Sequence, residues 1–193
     1  MGISQQKATL ENYFRMEAAT DEKLEYINGT IRSMAGTTFE HEVICNMLVE
    51  LLNQCLKDKG CWLMTGNMKL FTPECENSFL YPDIHIYCGE IKKEKMRQGA
   101  YALKEPSIII EVLSASTSDY DKNQKFECYR KMKSLQKYIM IESELGENEE
   151  KDDKENDQEN DKIKIKKEPK IYVRTLENEK RFIENVLDLE DTL

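Results

Sequence analysis

Residues that build small metal or redox scaffolds are scarce in this chain. Its 193 residues include two histidines, His41 and His85, one tryptophan, four prolines and eight glycines. The six cysteines (Cys45, Cys55, Cys61, Cys75, Cys88, Cys128) contain no Cys-x-x-Cys pair. Zinc ribbons and fingers need closely spaced ligands, so they are excluded. Scattered cysteines in a reducing compartment read as small core hydrophobes. No segment approaches the roughly 18 consecutive apolar residues of a membrane span, so an integral membrane protein is excluded. The opening MGISQQKATLENYF has neither the basic nor the apolar region of a secretory signal, and Gln6 stands where a myristoylation start wants Ser or Thr. A soluble, cytoplasmic protein is the expectation, with no small-molecule cofactor.

Charge, by contrast, is plentiful and unbalanced. Thirty-seven acidic residues face 28 basic ones, a net charge of −9, and mean hydropathy is −0.69. An acidic surface argues against nucleic acid, whose affinity comes from Lys and Arg. The excess is concentrated, however. Residues 144–168 hold eleven Asp/Glu against six Lys, a net of −5, which leaves −4 elsewhere. Two basic strips, Ile91–Arg97 and Lys122–Lys137, lie in that remainder. Glu144 to Asp161 has no aromatic or β-branched residue and cannot bury enough apolar surface to offset its ordering entropy. It reads as a disordered acidic insertion, or alternatively a solvated charged helix, inside a single domain spanning 1–193. Strand-like Lys137–Glu142 and Lys170–Thr175 flank it, so the simplest arrangement is a hairpin with a lengthened loop.

Upstream, Leu10 to Ala18 is a short amphipathic helix. Leu24–Met34 carries Asn28-Gly29 between alternating residues and predicts a hairpin with a type I′ turn. Thr37-x-x-Glu40 reads as a capping box. It opens a long helix with Val43, Ile44, Met47, Leu48, Leu51, Leu52 and Cys55 at helical spacing, closed by Gly60. Strands are expected at Cys61–Met64, Asn67–Thr72 and Phe79–Tyr87. Pro106–Leu113 is a nearly continuous apolar run, as in a central strand buried on both faces. Lys122–Lys133 reads as a helix. The order predicts an α/β or α+β domain with a mixed central sheet flanked by helices.

Two carboxylates sit awkwardly in this pattern. Asp83 follows Pro82 within Phe79–Tyr87, and Glu111 interrupts Ile108-Ile109-Ile110 and Val112-Leu113. A charge in a buried strand is costly unless a cation compensates it. Converging carboxylates suit a hard divalent cation such as Mg²⁺, which can polarise a phosphodiester and acidify water. The plain alternative is a turn at Asp83 and a surface ion pair at Glu111. Ser114, Ser116 and Thr117 lie in no G-x-S-x-G elbow and read as a loop and helix cap. Tyr129 fits an apolar helical stripe with Phe126 and reads as core.

Tyr81-Pro-Asp83, Glu111-Val-Leu-Ser-Ala-Ser-Thr117, Asp121-Lys-Asn-Gln-Lys125 and Lys137-Tyr-Ile-Met-Ile together resemble the Uma2 family of the PD-(D/E)XK nuclease superfamily. Leu24-Glu25-Tyr-Ile-Asn-Gly29, Met34-Ala-Gly36 and His41 extend the resemblance toward the N-terminus. It implies a restriction-endonuclease-like fold and a Mg²⁺-dependent (or Mn²⁺-dependent) endonuclease acting on DNA, with a homodimer expected because many nucleases of the superfamily are homodimers. It implies metal ligation by Asp83 and Glu111, with Glu25 completing the set. The basic superfamily pattern places a lysine two residues after the second acid, but Leu113 stands there. Members of this family take the lysine from the following helix, which matches Lys125, with Lys122 the runner-up. His41 and Asp121 are auxiliary candidates. A non-catalytic member of the fold, acting as a binding or regulatory module, is the other reading.

Overall fold

The computed structural model describes residues 7–34, 36–96, 100–114, 117–143, 170–178 and 181–187. The expected acidic insertion lies outside the described residues. Element order is α1 (Leu10–Glu17), β1 (Leu24–Ile27), β2 (Thr30–Ser33), α2 (Phe39–Leu56), β3 (Cys61–Thr65), β4 (Leu70–Thr72), β5 (Ser78–Leu80), β6 (Ile84–Cys88), β7 (Lys92–Lys95) and β8 (Tyr101–Lys104). It continues with β9 (Ile108–Leu113), a π-helical segment Tyr120–Lys125 running into α3 (Phe126–Tyr129), β10 (Lys137–Glu142), β11 (Ile171–Asn178) and β12 (Arg181–Leu187). No described helix is long and apolar enough to cross a membrane.

The mixed sheet expected from the sequence is present as two sheets, ordered β2-β1-β5-β4-β8-β7 and β12-β11-β10-β9-β6-β3. The division falls inside the stretch read as one strand, Phe79–Tyr87. Tyr81-Pro82-Asp83 breaks it, so that β5 joins the first sheet and β6 the second. Proline offers no ladder N–H, which explains the break. Asp83 therefore sits at a junction between the sheets rather than within a strand.

Three other local expectations shift. The α2 cap is Thr38, whose hydroxyl accepts from the His41 amide at 3.3 Å, one residue later than the sequence suggested. The helix closes at Leu56, and Gly60 (φ +65°) instead turns the chain into β3. Within the basic strip, Lys92–Lys95 forms β7, paired antiparallel with β8. The Asn28-Gly29 turn has φ of +49° and +85°, as a type I′ turn requires. β10 and β11 pair antiparallel, from Lys137↔Thr175 to Ile141↔Ile171, as the hairpin reading expected.

β9 and β10 are parallel neighbours, Glu111 opposite Met140, and parallel strands need a long crossover. The π-helical segment and α3 supply it. Their apolar side, Tyr120, Phe126 and Tyr129, packs with Ile109, Leu113, Tyr138 and Met140 on one face of the second sheet. Leu70 and Leu80 of the first sheet close the same core. On the opposite face, Ile44, Leu48 and Leu52 of α2 cover Ile84, Ile86 and Ile110. β9, apolar on both sides, is covered on both, as its sequence required.

Cysteine usage departs from the core-hydrophobe reading. Cys61–Cys88 and Cys75–Cys128 are disulfides, while Cys45 and Cys55 are free. The first joins opposed residues of β3 and β6; the second ties the β4–β5 turn to α3. Spacing could not reveal either, because the partners meet only through the tertiary fold.

The Cys75–Cys128 bond spans 53 residues of sequence. A loop of that length contributes about 4 kcal/mol in the chain-entropy model. Cys75→Ala with Cys128→Ala should therefore melt roughly 10 °C below wild type by calorimetry. Adding reductant should shrink the gap; equal melting temperatures without reductant would show that the bond does not constrain the chain.

Candidate active site

Five elements converge at the junction between the sheets: β1, α2, β6, β9 and the crossover helix. β6 and β9 are antiparallel neighbours, with Ile84 opposite Ile110, which brings Asp83 beside Glu111. The Asp83 amide donates to Glu111 Oε2 at 3.1 Å. The Val112 amide donates to Asp83 Oδ2 at 2.8 Å, and His41 Nε2 on α2 lies 3.1 Å from the same oxygen. Each acid is thus held by backbone next to the other.

Lys125 enters from the crossover. Its ammonium lies 3.1 Å from Glu111 Oε1, 3.1 Å from Asp121 Oδ1 and 3.4 Å from Glu25 Oε1. Asp121 and Lys125 are four residues apart and so share one side of the helical turn. Glu25, on β1 of the other sheet, accepts from the Tyr81 amide at 2.8 Å and from the Tyr120 hydroxyl at 3.0 Å. Tyr129 donates to Glu111 Oε1 at 3.0 Å. Lys122 points elsewhere, 3.5 Å from Glu142 and over the Tyr172 ring.

Five of the auxiliary and principal candidates, Glu25, Asp83, Glu111, Asp121 and Lys125, therefore meet, with His41 at their edge, and Lys122 does not. Sequence reasoning missed the tyrosines. Tyr129 was assigned to the core, and it is fully buried, yet its hydroxyl reaches Glu111. Its position one turn after Lys125 was the available signal. Tyr120, with Arg32 stacked 4.2 Å from its ring centroid, was not singled out at all.

Burial is deep. Glu25, Glu111, Asp121 and Lys125 are each at most 4% exposed, whereas the Asp83 and His41 side chains retain 18% and 14%. Solvent reaches the cluster from the Asp83–His41 side. Four carboxylates face two bases, an acidic excess that a low-dielectric site cannot hold fully ionised without another cation. The titration shifts express the same imbalance. Burial, reinforced by Asp83, Asp121 and Glu25, raises Glu111 well above the usual carboxylate range despite Lys125. Burial likewise raises Asp121. At Asp83 burial acts upward too, but the His41 hydrogen bond and charge, Lys125 and the Val112 amide outweigh it and lower the group. The Asp83 hydrogen bond lifts His41 to about 10, so it is an imidazolium at neutral pH. Burial opposes the Lys125 charge, yet Glu111 and Glu25 raise it well above an ordinary lysine.

The donor set suits a hard cation. Asp83, Glu111 and Glu25 offer carboxylate oxygens, the ligands that Mg²⁺ and Mn²⁺ prefer. Those three do not yet converge, since the Lys125 ammonium contacts both Glu25 and Glu111; among the described residues it is His41, Cys45 and Asp83 whose ligand atoms lie within 4.8 Å of one another. There the imidazole is divided: Nε2 faces Asp83 and Nδ1 faces Cys45 Sγ at 3.7 Å. That arrangement is a hydrogen-bonded chain from thiol to carboxylate, and a single ion could use only one of the two nitrogens.

Comparison with known proteins bears on the family and the fold. The family model for Uma2, described as "Putative restriction endonuclease", matches residues 10–190. "Uncharacterized protein sll1609" of Synechocystis sp. is 36% identical over 134 residues, 69% of this chain and 74% of that protein. "Uncharacterized protein slr1290" of the same organism is 30% identical over 137 residues, 71% and 70% of the two chains. The fold is similar to the crystal structure of "a putative nuclease belonging to DUF820" from Anabaena variabilis. That match has a TM-score of 0.59 and 17% identity, and covers 88% of this chain and 78% of that one.

Removing the buried ammonium should expose how much the cluster depends on it. Lys125→Ala leaves Glu25, Glu111 and Asp121 without their shared counter-charge, a loss of about 3–5 kcal/mol for a broken buried pair. The sign with pH follows from Glu111. A carboxyl whose folded pKa is raised adds stability below its unfolded pKa and loses it as pH rises through the folded value. The deficit of the variant, measured by denaturant titration, should be largest at pH 8 and shrink toward pH 5. A deficit independent of pH would show that Lys125 acts through packing alone.

Proposed function

The chain belongs to the Uma2 family, and on that footing we propose that it is a Mg²⁺- or Mn²⁺-dependent endonuclease hydrolysing DNA phosphodiester bonds. The observation that carries this reading is the acidic excess: four carboxylates and one lysine gathered where two strands of different sheets end, with His41 as a further counter-charge at the edge. Asp83 and Glu111 would hold the cation, with Glu25 as the third oxygen donor. When bound, it supplies the charge that polarises a phosphodiester and acidifies water.

The remaining work falls to this chain's own groups. Lys125 would present its ammonium to the charge that develops on the phosphate and orient the attacking water. Tyr120 and Tyr129, held protonated by burial, fix the orientation of Glu25 and Glu111 through their hydroxyls. His41 fixes Asp83 at the solvent-facing edge, the side from which a duplex must approach. Lys92, Lys93 and Lys95 on exposed β7 are further backbone contacts of the right sign. Cutting both strands takes two sites or a rearrangement between cuts, and a homodimer, which supplies the two sites, is part of the reading.

One observation favours a second reading. Glu111 and Lys125 are nearly sealed from solvent, and their ion pair already satisfies much of the cluster. A binding or regulatory module that keeps the fold without turnover fits such a closed site.

Supercoiled plasmid separates the two. With Mg²⁺ or Mn²⁺ the purified protein should give nicked and linear DNA, and a chelator should abolish it. Asp83→Asn and Glu111→Gln should lose cleavage, and Lys125→Ala should lose roughly 10²–10³-fold, the scale of one positioned donor. DNA retained in a gel shift yet left intact under every metal would establish the binding module instead.

A further inference from the structure

We propose that α2 forms the interface of a homodimer, its outward stripe Phe39, Val43, Met47 and Leu51 packed against the same stripe of a second copy about a two-fold axis. None of the 18 residues of α2 is fully buried in a single copy. The side toward the sheet is occupied by Ile44, Leu48 and Leu52. The stripe recurs every four residues on the other side and is 70%, 37%, 66% and 58% exposed, in chain order. A helix apolar on two sides is built to be covered on two sides.

The size and shape of the stripe select a second copy as its occupant. Four such side chains leave roughly 400 Å² of apolar surface in water, where patches on single chains begin to mark interaction sites. Pairing two stripes with their polar margins brings the buried total to about 1,200 Å², the lower end of stable interfaces. An unbroken four-residue ridge is also self-complementary. Two such ridges interlock at a crossing angle of about −50°. In an antiparallel pair centred near residue 45, Phe39 of one copy meets Leu51 of the other, and Val43 meets Met47. Nucleic acid is the wrong partner, because Glu40 and Glu50 lie beside the stripe on the same helix. The chain's own residues 144–168 offer only Leu145, Ile163 and Ile165 as large apolar side chains against four exposed positions.

Glu40 of one copy then lies near Glu50 of the other at a solvated margin, so screening should tighten the pair. The association itself is independent of the nuclease reading; only its consequence, two sites presented to one duplex, rests on it.

Sedimentation velocity on nuclease-treated protein without added metal tests the proposal. Wild type should be dimeric at micromolar concentration, more so at high salt. Met47→Glu should remain folded by circular dichroism and weaken self-association more than tenfold; Leu51→Lys serves the same purpose should Met47→Glu not fold. Trp62→Glu is the control. Trp62 is 60% exposed, and it alternates with Cys61 and Leu63, which face α2, so it lies on the opposite face. It should leave the dimer intact. A monomeric wild type, a dimer that survives both stripe variants, dissociation by salt or disruption by Trp62→Glu would each overturn the proposal. So would a wild-type monomer that dimerises only when residues 144–161 are removed, since the chain itself would then cover the stripe.

Discussion

The ammonium of Lys125 is the interaction on which the architecture turns. It is buried to 4% exposure and touches carboxylates from three elements: Glu25 on β1, Glu111 on β9 and Asp121 on the crossover helix. A lysine in such a place is tolerable only with several acids around it, and those acids only with the lysine among them. The contact therefore fixes the first sheet, the second sheet and the helix between them at one point. A protein built for stability alone would gain as much from apolar residues of similar volume. Retaining the charges makes sense where the balance between them has to change, as when a cation enters or a phosphate arrives.

The main-chain break at Pro82 has equal weight in placing the site. Had β5 and β6 continued as one strand, Asp83 would have lain within a hydrogen-bonded ladder, its side chain committed to one face. At the junction its carboxylate instead reaches the Val112 amide of β9 and the imidazole of α2. The parallel β9–β10 pair does the complementary job. Its obligatory crossover lays a helix across the strand that carries Glu111, and the π-helical widening of that segment sets Asp121, Lys125 and Tyr129 on one side. π-helical turns recur at functional sites for this reason.

Much of this was legible in the sequence, and the limits of legibility are physical. Asp83 and Glu111 could be singled out because a carboxylate in an apolar strand is an anomaly at the level of the pattern. Lys125 and Lys122 could not be separated, since three residues on a helix leave both near one face. Packing decided it: the Phe126 and Tyr129 side turns inward to the sheet, which carries Lys125 in and leaves Lys122 beside Glu142. The division into two sheets was invisible, because a break at proline and an edge at proline read alike. The Cys61–Cys88 and Cys75–Cys128 pairs were invisible for a different reason, since 27 and 53 residues separate their members and no local pattern connects them. The tyrosine hydroxyls fell between categories, apolar enough to fit a core stripe and polar enough to complete the cluster.

α2 joins these strands of argument. Its inner side covers β6 and β9, its first turn carries His41 to Asp83, and its outer side carries the apolar stripe. Asp83 is lowered where Glu111 and Asp121 are raised, and the imidazolium that helps lower it belongs to this helix. A helix one turn further from the sheet edge would leave only Lys125 and the Val112 amide to oppose burial, which acts to protonate Asp83. The charge state of the most solvent-accessible acid therefore depends on where α2 sits, and α2 is held on one side by the sheet and on the other by whatever covers Phe39 to Leu51. Any partner on the outer side thus bears on the ionisation of the inner one through a single rigid element, with no relay of side chains required.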